Sequence, residues 1–255
     1  MGMGGSNARN FGGCLIVLLF GAPGSGKGTQ SRFISERRKI PAISTGDMLR
    51  AECRNETVLG LAAKSILANG GLVDDELVNA MVVNRVTKPD CRGGFILDGY
   101  PRTVPQAVFL SQFLQGANLP NPAVIHLDVP ITVLVSRLSS RRHCPACGRI
   151  YNLVFQRPVD DSRCDADGQA LIQRNDDGED VVRQRLEAYH RLCGPLIEYY
   201  RGPNYHRVDG QCAPAKIYEQ IKGIITARSL RRAMGRTSAK PPVVLPYPAP
   251  STEMS

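Results

Sequence analysis

The chain has 255 residues, of which 42% are hydrophobic and only 6% aromatic, and its formal net charge is +9. Its best apolar run, residues 14–20, is much shorter than the roughly 20 residues that a membrane-spanning helix needs. The positive charge fits phosphorylated small molecules, nucleic acids or acidic membranes as partners, and no basic strand interleaved with aromatics favours nucleic acid.

The hydrophobic pattern alternates between strand-like and helix-like segments along most of the chain. A buried strand at residues 14–20 leads through a glycine-rich loop into a helix at residues 27–38. The other predicted strands are residues 40–43, 94–97, 123–129 and 205–208, and the other predicted helices are residues 47–54, 61–69, 75–87, 105–115, 131–139, 181–200 and 214–227. This alternation predicts the α/β class, with a doubly wound parallel sheet.

Three segments depart from this alternation. Residues 1–13 are polar and Gly-rich, and we expect them to be flexible. Residues 143–175 contain turn residues, three cysteines and short strand-like runs. Residues 228–255 are predicted to be a basic, Pro-rich disordered tail, because they carry five basic residues, one acidic residue and five prolines.

The glycine-rich loop at residues 21–30, GAPGSGKGTQ, has the pattern of a phosphate-binding loop between a strand and a helix. Its glycines let backbone N–H groups approach phosphate oxygens, the helix N-terminus adds partial positive charge, and Lys27 supplies a full charge. Gly28 stands where the general pattern has the Ser or Thr that binds Mg²⁺, and Thr29 follows it. Glycine at this place is typical of nucleoside-monophosphate kinases and predicts that the protein holds Mg²⁺ less directly.

Together with this loop, five further segments in the same order resemble the adenylate kinase family over about residues 14–227. They are STGDMLR (44–50), GGLVDDELV (70–78), FILDGYPRTVPQA (95–107), SRLSSRR (136–142) and RNDD with a later arginine (174–185). The resemblance implies a monomeric enzyme that catalyses ATP + AMP = 2 ADP with Mg²⁺. It also implies a helical AMP-binding insert at residues 44–73 and a small β-rich lid at residues 140–177, which close over AMP and ATP.

Charge neutralisation and positioning dominate phosphoryl transfer, so the arginines at family positions carry most of the implied chemistry. By resemblance, Arg50 and Arg102 hold the AMP phosphate, and Arg137 lies along the ATP adenine. The residues implied as catalytic are Lys27, Arg102, Arg141, Arg174 and Arg185. Asp176 and Asp177 are expected to pair with lid arginines on closure.

The resemblance also implies the remaining nucleotide and Mg²⁺ contacts. The implied ATP contacts are Gly24, Ser25, Gly26, Lys27, Gly28, Thr29, Arg137, Arg141, Ile150, Tyr151 and the main chain of Cys212. The implied AMP contacts are Thr45, Arg50, Gly71, Leu72, Val73, Gly99, Tyr100, Pro101, Arg102, Gln106, Arg174 and Arg185. Gly71 and Cys212 both stand where the family more often has Lys, and Gln106 reads the adenine edge through its amide. Asp98 and Asp47 are expected to hold Mg²⁺ through water.

Four residues in the lid have the spacing of metal ligands. They form two short pairs, Cys144 with Cys147 and Cys164 with Asp167, sixteen residues apart. Two such pairs can close a tetrahedral Zn²⁺ site, and the spacing is similar to that of the metal-bearing lid of some bacterial-type adenylate kinases. The predicted zinc is structural, because four protein ligands leave no open position. The alternatives are a lid held by hydrogen bonds with incidental cysteines, or a Cys144–Cys147 disulfide.

Eight cysteines without an evident secretory leader favour a reducing compartment, and we expect the cytoplasm. The N-terminal sequence also fits N-myristoylation at Gly2, so a membrane-peripheral or mitochondrial location of the protein is an alternative to the cytoplasm.

Four other functions compete with the adenylate kinase interpretation. A GTP:AMP phosphotransferase of the same fold is the nearest alternative, because the donor base is read mainly by backbone. The long lid argues against a UMP/CMP kinase. A zinc-ribbon nucleic-acid-binding protein would explain the charge and the cysteines but not the glycine loop. The fourth alternative is an inactive regulatory homologue. It is disfavoured because every charged position expected for turnover is occupied in this sequence.

Overall fold

The computed structural model describes residues 14–68, 72–173 and 177–233. Its strands are β1 (Leu15–Phe20), β2 (Ala42–Ser44), β3 (Gly94–Asp98), β4 (Ala123–Asp128), β5 (Arg141–His143), β6 (Ile150–Asn152) and β7 (Tyr205–Asp209). Its α-helices are α1 (Lys27–Arg38), α2 (Thr45–Arg54), α3 (Val58–Ala68), α4 (Asp75–Val86), α5 (Val104–Gly116), α6 (Ile131–Ser139), α7 (Glu179–Tyr200) and α8 (Pro214–Ala233).

Five strands form one parallel sheet in the order β2-β3-β1-β4-β7, and β5 pairs antiparallel with β6 in a separate hairpin. Alternate residues of β1 enter two different cores, as the two-residue period of a strand requires. Ile16 and Leu18 pack with residues of α4 and α5, whereas Val17 and Leu19 pack with residues of α1 and α8. Helices therefore cover both faces, and the predicted doubly wound α/β sheet is confirmed.

The described elements agree closely with the predicted ones where the hydrophobic pattern is strong. Both α1 and α6 have their predicted bounds, and Ser44 caps α2 by accepting a hydrogen bond from the Asp47 backbone N–H. The prediction missed β5, because its sequence Arg-Arg-His has no hydrophobic period. Residues 44–73 include α2 and α3, and the β5–β6 hairpin lies within residues 140–177.

The prediction of a disordered tail from residue 228 was wrong in its first part, because α8 continues to Ala233. Arg228 ties this extension to the body of the protein by donating to the Asn204 side chain and to the Asn121 carbonyl oxygen. Several predictions lie outside the described residues: those for residues 1–13 including Gly2, for the tail from residue 234, and for Gly71, Arg174 and Asp176.

Two whole-chain features bear on the cysteines and on membranes. All eight cysteines lie in the described residues, and all are free thiols. Among the described helices, none combines the length and the apolar character needed to cross a membrane.

Candidate functional site

The glycine loop connects the carboxyl end of β1 to the first turn of α1. Gly24 and Gly26 have φ values of +82° and +98°, a region that favours glycine. A Cβ at Gly24 would lie 2.9 Å from the Leu138 side chain, so this position also lacks room. At Gly26 no described atom lies within 4 Å of where a Cβ would be. The loop therefore presents bare backbone toward open space at the start of a helix, as an anion site requires.

Lys27 folds back over this loop. Its Nζ donates hydrogen bonds to the carbonyl oxygens of Gly21, at 2.8 Å, and Ala22, at 3.0 Å. Burial, and to a smaller extent the positive charges of Arg102, Arg185 and Arg141, lower the pKa of Lys27 to about 8, although the charge of Asp98 opposes this shift. Lys27 is therefore a buried cation with three arginines near it, and a bound polyphosphate would offset both its burial and their repulsion.

A cleft of about 460 Å³ lies beside the loop, between the lid hairpin and the segment that follows β7. All the residues implied as ATP contacts line this cleft: Gly24, Ser25, Gly26, Lys27, Gly28, Thr29, Arg137, Arg141, Ile150, Tyr151 and Cys212. The hydroxyl of Tyr151, however, lies 3.3 Å from the Cys164 sulfur and is directed into the lid. The structure therefore brings the predicted donor-side set together, with the Tyr151 hydroxyl serving another contact.

Arg137 is supported by a residue that the sequence did not single out. Its guanidinium carbon lies 5.8 Å from the centre of the Phe155 ring, a cation–π distance. Burial lowers the pKa of Arg137, opposed by the charge of Asp209. The Asn152 amide donates to the Arg137 carbonyl oxygen at 2.9 Å, which links the lid hairpin to α6. A planar cation flanked by an exposed aromatic ring suits the binding of a nucleotide base.

Two carboxylates face the same cleft. Asp98 ends β3, and one of its oxygens lies 3.7 Å from where a Cβ at Gly28 would be. Burial raises the pKa of Asp98, and the nearby charge of Asp47 raises it further, although Lys27 opposes both. Asp47 itself accepts a 2.6 Å hydrogen bond from Arg50. A divalent cation would offset the repulsion between these carboxylates, so the pair fits the expected Mg²⁺ site.

A second, smaller pocket of about 150 Å³ adjoins the cleft on the side of α2 and α7. Of the implied AMP contacts, six line it: Arg50, Leu72, Gly99, Pro101, Arg102 and Arg185. One side of its wall is formed by apolar residues of α7, including Ala188, Leu192 and Leu196, which the sequence analysis did not identify. Four cations line both the pocket and the cleft: Lys27, Arg50, Arg102 and Arg185. The two spaces therefore meet at a cluster of positive charge.

The other implied AMP contacts within the described residues, Thr45, Val73, Tyr100 and Gln106, do not line this pocket. Val73 and Tyr100 are buried in the core, and the Thr45 hydroxyl donates to the Gly99 carbonyl oxygen at 2.9 Å. Both ends of the buried Gln106 amide are occupied by protein groups. Its oxygen accepts from the Arg102 backbone N–H at 2.8 Å, and its nitrogen donates to Asp75 at 2.7 Å. To read a base, Gln106 would have to share or exchange these partners.

The lid cluster has the geometry that its spacing predicts. The ligand atoms of Cys144, Cys147, Cys164 and Asp167 all lie within 4.8 Å of one another. The two pairs form matching turns: the Gly148 N–H donates to the Cys144 carbonyl oxygen at 3.0 Å, and the Gly168 N–H donates to that of Cys164 at 2.8 Å.

The donor set of this cluster fits zinc. Hydrogen bonds, first from the Cys147 thiol and then from the Gln169 N–H, hold the pKa of Asp167 at about 2, so it is an anionic oxygen at neutral pH. Three sulfurs and one carboxylate converging on one point make a closed tetrahedral Zn²⁺ site chemically suitable.

Comparisons with known proteins agree with this geometry. The family model described as adenylate kinase matches residues 19–205. The chain is 44% identical to the adenylate kinase of Methanocella arvoryzae over 209 residues, which cover 82% of this chain and 97% of that protein. It is 42% identical to the adenylate kinase of Clostridium tetani over 212 residues, covering 83% and 98%. The resemblance inferred from the motifs is thereby confirmed, and the chain belongs to the adenylate kinase family.

Proposed function

We propose that this protein catalyses the reversible transfer of a phosphoryl group from Mg·ATP to AMP, giving two ADP. One structural observation carries the proposal: the cleft at the glycine loop and the adjoining pocket meet at Lys27, Arg50, Arg102 and Arg185. Two anionic nucleotides cannot approach each other without such a cluster of cations. The names of the related proteins support the same activity.

In the proposed reaction, an oxygen of the AMP phosphate bonds to the γ-phosphorus of ATP while the bond from that phosphorus to the β–γ bridging oxygen breaks. The protein contributes little covalent chemistry, and it acts by aligning the two groups and stabilising the charge between them. Lys27 and Arg141 would hold the donor phosphates, and Arg50 and Arg102 would hold the acceptor phosphate. Arg185 lines both spaces and, with Arg174 by resemblance, would face the transferred group.

Mg²⁺ bound to the donor would neutralise part of its charge, and Asp98 with Asp47 would hold the ion through water. Closure of the insert and lid would exclude water, which otherwise competes with AMP as the phosphoryl acceptor. Eight cysteines, three of which belong to the proposed metal site, favour a reducing compartment such as the cytoplasm. We also expect a monomer, because the described residues of one chain supply the shared cation cluster.

A coupled ADP-release assay tests the proposed activity. ATP with AMP should give turnover, and Lys27→Ala and Arg102→Ala should each lower kcat by about 10²–10³-fold, as loss of a charge-stabilising donor does. Arg157→Ala is a suitable control, because that arginine is exposed in the lid and its ion pair is with the exposed Asp161, at 3.2 Å. Turnover with GTP and AMP that exceeds turnover with ATP would instead assign a GTP:AMP phosphotransferase.

We propose further that the lid cluster binds one structural Zn²⁺. Metal analysis of protein purified without chelators should find about one zinc per chain, and Cys147→Ala should abolish it. Cys193→Ala is the matched control, because Cys193 lies on α7, away from the cluster. Zinc-free wild-type protein with full activity and an unchanged melting temperature would contradict this proposal while leaving the proposed kinase activity untouched.

A further inference from the structure

The short strand β6 has two faces with different partners. Ile150 lies on one face, and its Cδ1 is 3.4 Å from where a Cβ at Gly28 of the phosphate loop would be. Asn152 holds the Arg137 carbonyl oxygen at 2.9 Å. Tyr151, between them, points the other way and packs with Cys144, Cys164 and Leu171 in a small core of its own. Because side chains alternate along a strand, Ile150 and Asn152 face the donor cleft, whereas Tyr151 faces the lid cluster on the opposite side.

The hydroxyl of Tyr151 has a defined direction within this small core. Its oxygen accepts a hydrogen bond from the Asp165 backbone N–H at 2.9 Å, and the Cys164 sulfur lies 3.3 Å away. A metal-bound cysteine is a thiolate and carries no hydrogen, so the tyrosine must be the donor when the cluster is loaded. Because only 4% of Tyr151 is exposed, no solvent replaces this bond.

We propose that Tyr151 is a positioning residue that couples the lid cluster to the donor-nucleotide cleft. Its hydroxyl stabilises the Cys164 thiolate and fixes the turn at Asp165, in the way that outer-shell partners orient metal ligands. The same residue anchors β6, which places Ile150 beside the phosphate loop and, through Asn152, holds α6 at Arg137. The inference rests on the proposed zinc site and kinase activity, and it assigns the side chain to the metal rather than to the nucleotide.

The test is Tyr151→Phe, which removes the hydroxyl and keeps the buried ring. The matched control is Tyr199→Phe, since Tyr199 lies on α7, outside the lid, and donates to the Ser111 hydroxyl of α5 at 3.0 Å. In Tyr151→Phe, zinc transfer to a colorimetric chelator should be about 10–100-fold faster, the loss expected for an outer-shell partner. The KM for ATP should rise several-fold, while the KM for AMP and kcat change by less than about twofold.

A spectroscopic measurement separates this role from a general structural one. With Co²⁺ in place of zinc, the thiolate-to-cobalt charge-transfer band should move to lower energy in Tyr151→Phe, because a sulfur without its hydrogen bond is more easily oxidised. Should that variant fail to fold, 3-fluorotyrosine at position 151, a stronger donor of nearly equal size, should shift the band to higher energy.

The outcomes are distinguishable from failure of the proposed function. Wild-type protein without zinc would remove the basis of the inference whatever the kinase activity, whereas lack of kinase activity would leave the zinc and cobalt measurements intact. Unchanged zinc transfer with an unchanged cobalt band would overturn the role of the hydroxyl. Faster zinc transfer with an unchanged KM for ATP would overturn the coupling to the nucleotide cleft.

Discussion

Asp177 accepts hydrogen bonds from both Nε and Nη2 of Arg141, with an Nε–Oδ2 distance of 2.7 Å, and its side chain has no exposed area. Arg185 Nη1 lies 3.5 Å from the same carboxylate. One buried carboxylate therefore orients two arginines, one from the lid strand β5 and one from α7. This arrangement matches the expectation that Asp177 pairs with a lid arginine.

Asp177→Asn should lower kcat by about 10²-fold, because both guanidinium groups lose the carboxylate that orients them, and misplacement of about 1 Å has that effect. It should also destabilise the fold by about 3–5 kcal/mol, the usual result of breaking one side of a buried ion pair. Steady-state kinetics and urea unfolding measure the two effects.

The control for this prediction is Asp161→Asn. Asp161 also pairs with a lid arginine, Arg157, but both side chains are more than half exposed. An exposed pair contributes at most about 1 kcal/mol, so kcat and stability should stay close to wild type. Equal effects of the two substitutions would argue against a special role for Asp177.

The lowered pKa of Lys27 predicts a pH dependence of donor binding. The phosphates of ATP should raise this pKa from about 8, so binding takes up a proton above pH 8. The affinity for ATP should then fall by up to about tenfold per pH unit above pH 8. Titration calorimetry in two buffers of different ionisation enthalpy measures the proton uptake. Lys27→Arg should show none, because a guanidinium stays charged throughout this range.

The same group affects stability with a definite sign. The folded-state pKa of about 8 lies below the unfolded value of 10.5, so the unfolded chain binds more protons between these limits. The contribution of Lys27 to the unfolding free energy should therefore rise with pH from about 8 to 10.5. Comparing wild type with Lys27→Met across this window isolates the effect, and a wild-type contribution that falls with pH would contradict the assigned pKa.

Sequence predicted the central fold well because buried strands and capped helices leave local signals. The apolar run before residue 21 and the cap at Ser44 specify their elements without help from the rest of the chain. The extension of α8 depends instead on contacts of Arg228 with residues more than twenty positions away. Such long-range contacts have no local pattern in the sequence.

The candidate site, like the fold, was predictable from the sequence only in part. The residues that the motifs predicted for the donor side all line one cleft, because the loop, α6 and the lid hairpin each carry a recognisable pattern. They did not reveal the Phe155 ring beside Arg137 or the bond between Asp75 and Gln106. These pairs form only when the lid and α4 take their places, so the chain fold determines them.

Asp75 should therefore affect the acceptor site. Its two oxygens accept from the Thr103 hydroxyl at 2.6 Å and from the Gln106 amide at 2.7 Å, which fixes the orientation of that amide. Asp75→Ala should raise the KM for AMP about tenfold and leave the KM for ATP unchanged. Glu76→Ala is the matched control, because it removes the neighbouring acid from the same first turn of α4. A rise in KM for both nucleotides would show that the effect is not confined to the acceptor side.

Gly94 provides a test of the sheet register. It pairs with Leu15 at the start of β1 and β3, has a φ of +125°, and a Cβ there would lie 2.0 Å from the Leu15 carbonyl oxygen. Gly94→Ala should therefore destabilise the protein by about 3 kcal/mol or more, since it combines backbone strain with overpacking. Urea unfolding measures the loss.

Gly93→Ala is the matched control, because no described atom lies within 4 Å of the position its Cβ would take. This substitution should change stability by no more than about 0.5 kcal/mol, as open surface positions do. The two glycines are adjacent and differ in backbone conformation and space, so the comparison cancels the effect of alanine on the unfolded chain. Equal stability of the two variants would mean that β1 and β3 do not pair in the register that brings Leu15 against Gly94.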